Sequence, residues 1–156
     1  MKMIPDVLSR LPALLAAILA INLLEASLAN AKCRNINGVI RQRAGSDPSV
    51  TATGTLSGKL PGKYNFTINS LIPGPENTSV SLFTGSATIT TRQGDIFGVD
   101  AGALDSVSPG NIVDLLTITG GTGVFENASG QIQLSGNFDS ARGRGTSTYK
   151  GRLCTP

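Results

Sequence analysis

The sequence predicts an all-β fold, an eight-stranded antiparallel up-and-down barrel with a central cavity. Three observations predict it. The 156 residues include 19 glycines and only 15% charged residues, with serine and threonine abundant, which suits many short strands on tight turns and not a helical bundle. Short alternating stretches recur at meander spacing, each bounded by Gly, Pro, Asn or Asp. The two cysteines, Cys33 and Cys154, stand near the ends of the chain that follows an apolar leader. In an exported chain they form a disulfide, which makes the first and last strands neighbours, as barrel closure requires. A two-sheet sandwich is the alternative the pattern allows. The length suits one domain.

Taken in order, residues 1–31 read as a secretory signal peptide and 32–156 as the barrel domain. Lys2 and Arg10 supply a positive start, Leu11 to Leu24 is almost unbroken apolar sequence, and Ala29-Asn30-Ala31 offers a small-x-small cleavage site. The apolar run is shorter than the about 20 residues a spanning helix needs, so no stable membrane span is expected after cleavage. The location expected is secreted or extracellular, periplasmic in a Gram-negative source.

Ile36 to Arg43 alternates weakly and ends at the turn Gly45-Ser46-Asp47-Pro48. Val50 to Gly58 places Val50, Ala52, Gly54 and Leu56 on one face, and Leu60-Pro61-Gly62 reverses the chain. Lys63 to Ser70 is the cleanest alternation, with Tyr64, Phe66 and Ile68 inward. After the breaker Pro73-Gly74-Pro75 come Val80 to Thr91, Asp95 to Leu104 and Asn111 to Thr119; Gln131 to Asp139 and Ser147 to Cys154 complete the eight.

Between the sixth and seventh strands lies Gly120-Gly121-Thr122-Gly123-Val124-Phe125-Glu126-Asn127-Ala128-Ser129-Gly130. Gly120, Gly121 and Gly123 permit positive φ and a sharp bend. Thr122 is placed to cap one helical turn carrying Phe125 and Ala128 on the same side, and Gly130 to end it in the left-handed conformation. Phe125 then plugs one end of the barrel.

This run resembles the Gly-Gly-Thr-Gly-x-Phe-x-x-Ala-x-Gly signature shared by dirigent proteins and the allene oxide cyclase barrel family, and Tyr149-Lys150-Gly151 is similar in placement to that family's final strand. The resemblance implies an eight-stranded antiparallel barrel around a cavity, often a homotrimer. It also implies one of two activities: cofactor-free cyclisation of a lipid-derived substrate, or control of phenoxy-radical coupling with arginine and aspartate near the pocket. Arg92, Asp95, Asp100 and Asp114 could stand in comparable places.

The residues themselves constrain the chemistry. Without histidine, a Ser-His-Asp or Cys-His nucleophile is excluded, as are most zinc sites. Gly120-Gly121-Thr122-Gly123 lacks the lysine of a phosphate loop. No cofactor and no metal are expected. Asp114 shares a face with Ile112, Leu116 and Ile118, and Asp100 one with Ile96 and Gly98. If those faces line the lumen, either acid is desolvated, with a raised pKa suited to acid–base work or to orienting a hydroxyl; if they face out, both are ordinary solvated carboxylates. Tyr64 either presents its hydroxyl to the cavity or packs at its mouth. The candidate ligand-binding residues are thus Tyr64, Arg92, Asp100 and Asp114, with Asp114 and Asp100 the weak catalytic candidates.

The net charge of +3 is too small and scattered to imply nucleic acid. Arg41 with Arg43, and Arg142 with Arg144, read as solvated edges or as contacts to an anion or polysaccharide. Three functional readings follow. The first is a ligand-holding or stereo-directing barrel for a small apolar or phenolic molecule, without its own redox centre. The second is a cofactor-free cyclase or isomerase. The third is a structural surface protein whose barrel is filled by its own side chains, Tyr64, Phe66 and Phe97 among them.

Overall fold

The computed structural model describes residues 31–47, 50–107 and 109–156. They form a single closed antiparallel barrel whose strands follow sequence order: β1 (Lys32–Ala44), β2 (Thr51–Gly58), β3 (Gly62–Pro73), β4 (Val80–Thr91), β5 (Gly94–Asp105), β6 (Gly110–Gly121), β7 (Ser129–Asp139) and β8 (Arg144–Thr155). The sandwich alternative is thereby removed. The signal-peptide reading lies, apart from Ala31, outside the described residues. No helix among the described residues is long and apolar enough to cross a membrane.

Period-two patterning sorts the side chains. On β3, Tyr64 and Phe66 turn inward while Lys63, Asn65 and Thr67 face out. On β5, Ile96, Gly98 and Asp100 are inward, and Phe97, 40% exposed, is outward. Phe97 therefore does not fill the lumen. The buried inward aromatics on the described strands are Tyr64, Phe66, Phe83 and Tyr149. Tyr64 and Phe66 lie parallel with centroids 6.2 Å apart, and Phe66 meets Phe83 edge-on at 5.7 Å.

Among the described residues, two β-bulges adjust the sheet. Asn69 is the extra residue of β3 against β4, so the strand continues past Ser70 to Pro73 with its facing reversed. Thr119 is the extra residue of β6 against β5.

One end of the barrel is plugged. Phe125, in the 3₁₀ turn Gly123–Phe125, is buried with Ala128, Leu60 and Leu153. Gly120 and Gly123 take positive φ, as the bend requires, and Gly121 sits close against Phe125 and the Asp95 carbonyl. Two details differ from the sequence expectation. The Thr122 hydroxyl makes no cap bond; it accepts the Asp95 N–H at 2.9 Å and so ties the turn to the β4–β5 hairpin. The turn is followed by Asn127 in the left-handed region (φ 58), whereas Gly130, also at positive φ, already belongs to β7. Asparagine tolerates that conformation because its short amide bonds locally.

Closure of β1 on β8 has several ties. Cys33 and Cys154 form the expected disulfide. The Ala44 N–H donates to the Gly143 carbonyl at 2.9 Å, and inside the barrel the Gln42 side-chain amide donates to the Ser147 hydroxyl at 3.1 Å. Tyr149 reaches from β8 to the β2–β3 hairpin, where its hydroxyl donates to the Ser57 carbonyl and accepts the Leu60 N–H, each at 3.0 Å.

The disulfide spans a sequence separation of 121. Denaturant unfolding of Cys33→Ser against the oxidised protein is expected to show a loss of about 4–5 kcal/mol, the chain-entropy value for a loop of this size.

Candidate functional site

The register brings the two aspartates together. Asp100 on β5 pairs with Leu116 on β6, and Asp114 stands two residues along β6 on the same inward face, opposite Gly102. They are therefore diagonal neighbours inside the lumen. Asp100 is 3% and Asp114 9% exposed. Each has a glycine beside it: Gly85 on β4 pairs with Asp100, and Gly102 on β5 with Asp114. A Cβ at Gly85 would collide with the Phe66 ring, and one at Gly102 with the Phe83 ring and the Asp114 Cβ. The two phenyl rings thus occupy the space the glycines leave open, and they strip water from the carboxylates.

Compensation for that burial is sparse. Both carboxylate oxygens of Asp100 and Oδ1 of Asp114 are buried without a hydrogen-bond partner among the described residues. Buried polar atoms are ordinarily satisfied, and the exceptions call for a functional explanation. Burial pushes Asp100 up to about 6; the Ala101 amide opposes the shift but lies outside hydrogen-bonding geometry. Burial, reinforced by the charge of Asp100, pushes Asp114 up to about 8. Asp114 moves further because the charge of Asp100 adds to its burial, whereas the Ala101 amide offsets part of the burial at Asp100. Near neutral pH the pair holds one proton. Burial, and then the charges of Asp100 and Asp114, push the Tyr64 hydroxyl well above its ordinary value, so it stays a neutral phenol.

At the end opposite the plug the barrel opens into an apolar cup of about 330 Å³. Its walls include Ala52, Ile68, Leu104, Ile112 and Phe138, with Gln42, Phe66 and Phe83 also lining it. Asp100 and Asp114 do not line the cup; Phe66 and Phe83, whose rings pack over the glycines beside them, do. The rim carboxylate Asp105 contrasts with them. The Ser79 hydroxyl and the Val107 N–H hold it below the usual carboxylate range.

The structure thus brings Asp100, Asp114 and Tyr64 into one lumen. It does not bring Arg92 there. Arg92 is exposed in the β4–β5 turn, at the plugged end, because a turn residue between two strands of this register cannot reach the lumen centre. Gln42, Ser147, Phe83 and Tyr149 were not identified from sequence. Gln42 shares the parity of Ile36 and Ile40, and that could have flagged it. No group of three or more His, Cys, Asp or Glu that could hold a metal ion occurs among the described residues.

No family model matches the chain, and no curated protein matches it. Among solved structures, the pterocarpan synthase dirigent protein is similar over 99% of this chain and 96% of its own, at 16% identity and a TM-score of 0.37. At that level of likeness the lumen must be read from its own residues.

Both carboxyl pKa values are raised above the unfolded value of about 3.9, so the folded barrel holds protons that the unfolded chain releases. Their contribution to stability is complete below pH about 4 and declines as pH rises through about 6 and about 8. Asp114→Asn should flatten that decline and be the more stable protein above about pH 8, by on the order of a few kcal/mol, in denaturant unfolding followed across pH.

Proposed function

We propose that this barrel binds and orients a small, mainly apolar molecule carrying a hydroxyl or phenol, without a redox centre of its own. One observation carries the reading: an apolar cup lined by Phe66 and Phe83, whose rings also pack over the glycines paired with two carboxyls that have unsatisfied oxygens. The cup volume is at the small end of the range for ligand pockets. Gln42 supplies a polar handle on its wall, and rotation of either phenyl ring would let a ligand hydroxyl reach Asp100 or Asp114. A carboxylate would accept that hydroxyl's hydrogen bond, and a protonated partner would donate one back.

The same pair supports a second reading, a cofactor-free isomerase or cyclase. A site that holds one proton near neutral pH can give it to one atom of a substrate and recover it from another. Asp114 would be the acid and Asp100 the base. The structural-protein reading draws support from the inward aromatics, but a filled barrel gains nothing from two uncompensated carboxyls in its core.

Export to an oxidising compartment belongs to this proposal and is supported by the disulfide. So does homo-oligomerisation, with a trimer expected. The outer face of β4–β6 carries Leu82, Val99, Val113 and Leu115, all exposed, and no Lys or Arg; apolar patches of this kind mark contact surfaces.

Native mass spectrometry of the oxidised protein with a series of para-alkylphenols and alkyl alcohols is the test. The expected result is a trimer that retains one phenol per subunit, with retention lost in Ala52→Phe, which fills the cup. Failure of every probe to bind a well-folded barrel would remove the ligand-holding reading and leave the filled barrel.

A further inference from the structure

Charge is divided unevenly around this barrel. From Gln93 to Ala141 there is no lysine or arginine, and six acids stand there. The rest of the described chain carries eleven Lys and Arg against two acids, Asp47 and Glu76. Because the barrel is closed, β8 lies beside β1, and the cations of β8, β1 and the β2–β3 region share one side.

The register orders them into rows on the outer surface. Arg41, Thr55 and Lys63 lie side by side across β1, β2 and β3, and Arg43, Thr53 and Asn65 form the next row. These residues border a hollow of about 500 Å³. Lys63 also borders a hollow of about 730 Å³ at the plugged end, together with Arg34, Lys59 and Arg92. Arg41 and Arg43 also border a third, of about 460 Å³, together with Arg142 and Arg144. Three hollows that share their boundary residues make one groove. Arg34, at the plugged mouth, and Arg43 stand about 30 Å apart at strand rise. Arg142 is paired with Asp139 at 3.3 Å; the other seven cations have no ion-pair partner among the described residues.

We propose that this groove binds a polyanionic glycan, a polysaccharide chain bearing carboxylate or sulfate groups. Cations spaced along a groove match repeated anions, where a single small anion would call for convergence on one point. Between the cations stand neutral hydroxyl and amide groups, Thr53, Thr55, Asn65, Thr90, Gln93 and Thr146, suited to sugar hydroxyls. The lining offers no exposed ring for stacking a base: Tyr64 and Phe125, which border it, are buried, which disfavours single-stranded nucleic acid. Its borders include none of the exposed large apolar side chains, which disfavours insertion into a membrane surface. The proposal is independent of the lumen and of what the cup holds.

Binding of the oxidised protein to polygalacturonate, dextran sulfate, neutral dextran and duplex DNA, measured by titration calorimetry at two salt concentrations, tests it. The expected result is salt-sensitive binding to one or both charged polysaccharides, none to neutral dextran, and weaker binding to DNA; the preferred polymer tells carboxylate from sulfate. Arg41→Glu with Lys63→Glu should weaken binding about tenfold or more and flatten the salt dependence. Lys150→Glu with Arg152→Glu, an equal change of charge outside all three hollows, should leave it within about twofold. All four side chains are exposed, so both variants keep the fold, as circular dichroism will show. Equal weakening by the two variants, tighter binding to DNA, or no binding to either charged polymer overturns the proposal.

Discussion

Everything inside this protein depends on the closure of β1 against β8. An open eight-stranded sheet would leave two unpaired edges and a face wet enough to solvate Asp100 and Asp114. Closure removes the edges and turns one face of every strand into an interior. The disulfide, the Tyr149 bridge to Ser57 and Leu60, and the Gln42–Ser147 bond all join strands far apart in sequence. None of them forms until the last strand is in place, and each then makes the interior a fixed volume.

Within that volume the energetics conflict. Most inward positions satisfy ordinary packing, with Ile36, Ile40, Leu116, Ile132 and Leu153 almost fully buried. The two aspartates do not. A barrel optimised for stability would place leucine at both, since burying a carboxyl without partners costs free energy in either protonation state. The glycines beside them and the rings of Phe66 and Phe83 deepen the desolvation. Four residue choices on three strands thus converge on one effect, a proton held near neutral pH beneath an apolar floor. The outer surface is organised on a different principle, with cations on the β8–β3 side and an apolar band free of Lys and Arg on β4–β6, so the lumen and the two outer faces can serve separate partners.

Much of the architecture was legible in the sequence because strand alternation is local. Tyr64 and Phe66 inward, Asp100 on the Ile96 face and Asp114 on the Leu116 face all follow from counting by twos. Which face became the lumen was not legible for β6, where Val113 and Leu115 are as apolar as Ile112 and Leu116. Alternation alone cannot say which of two apolar faces turns inward, and only pairing with β5 and β7 decides it. The caps at the plug were not legible for a related reason. Thr122 follows the local pattern of a helix cap, but a neighbouring hairpin offered Asp95 N–H, and the tertiary bond took its hydroxyl. The resemblance groups Arg92 with the aspartates, but its place in the β4–β5 turn keeps it at the plugged end of the barrel. The basic groove was visible only as two arginine pairs, because strands distant in sequence supply its rows.

The most direct test of the carboxyl pair is a ¹³C NMR titration of the aspartate side-chain carboxyls in the oxidised protein. The account predicts two coupled resonances that titrate well above the rest, one of them still protonated at neutral pH, and the loss of that coupling in Asp100→Asn. If both carboxyls instead titrate near the ordinary value of about 4, the pair is solvated and the lumen holds no proton.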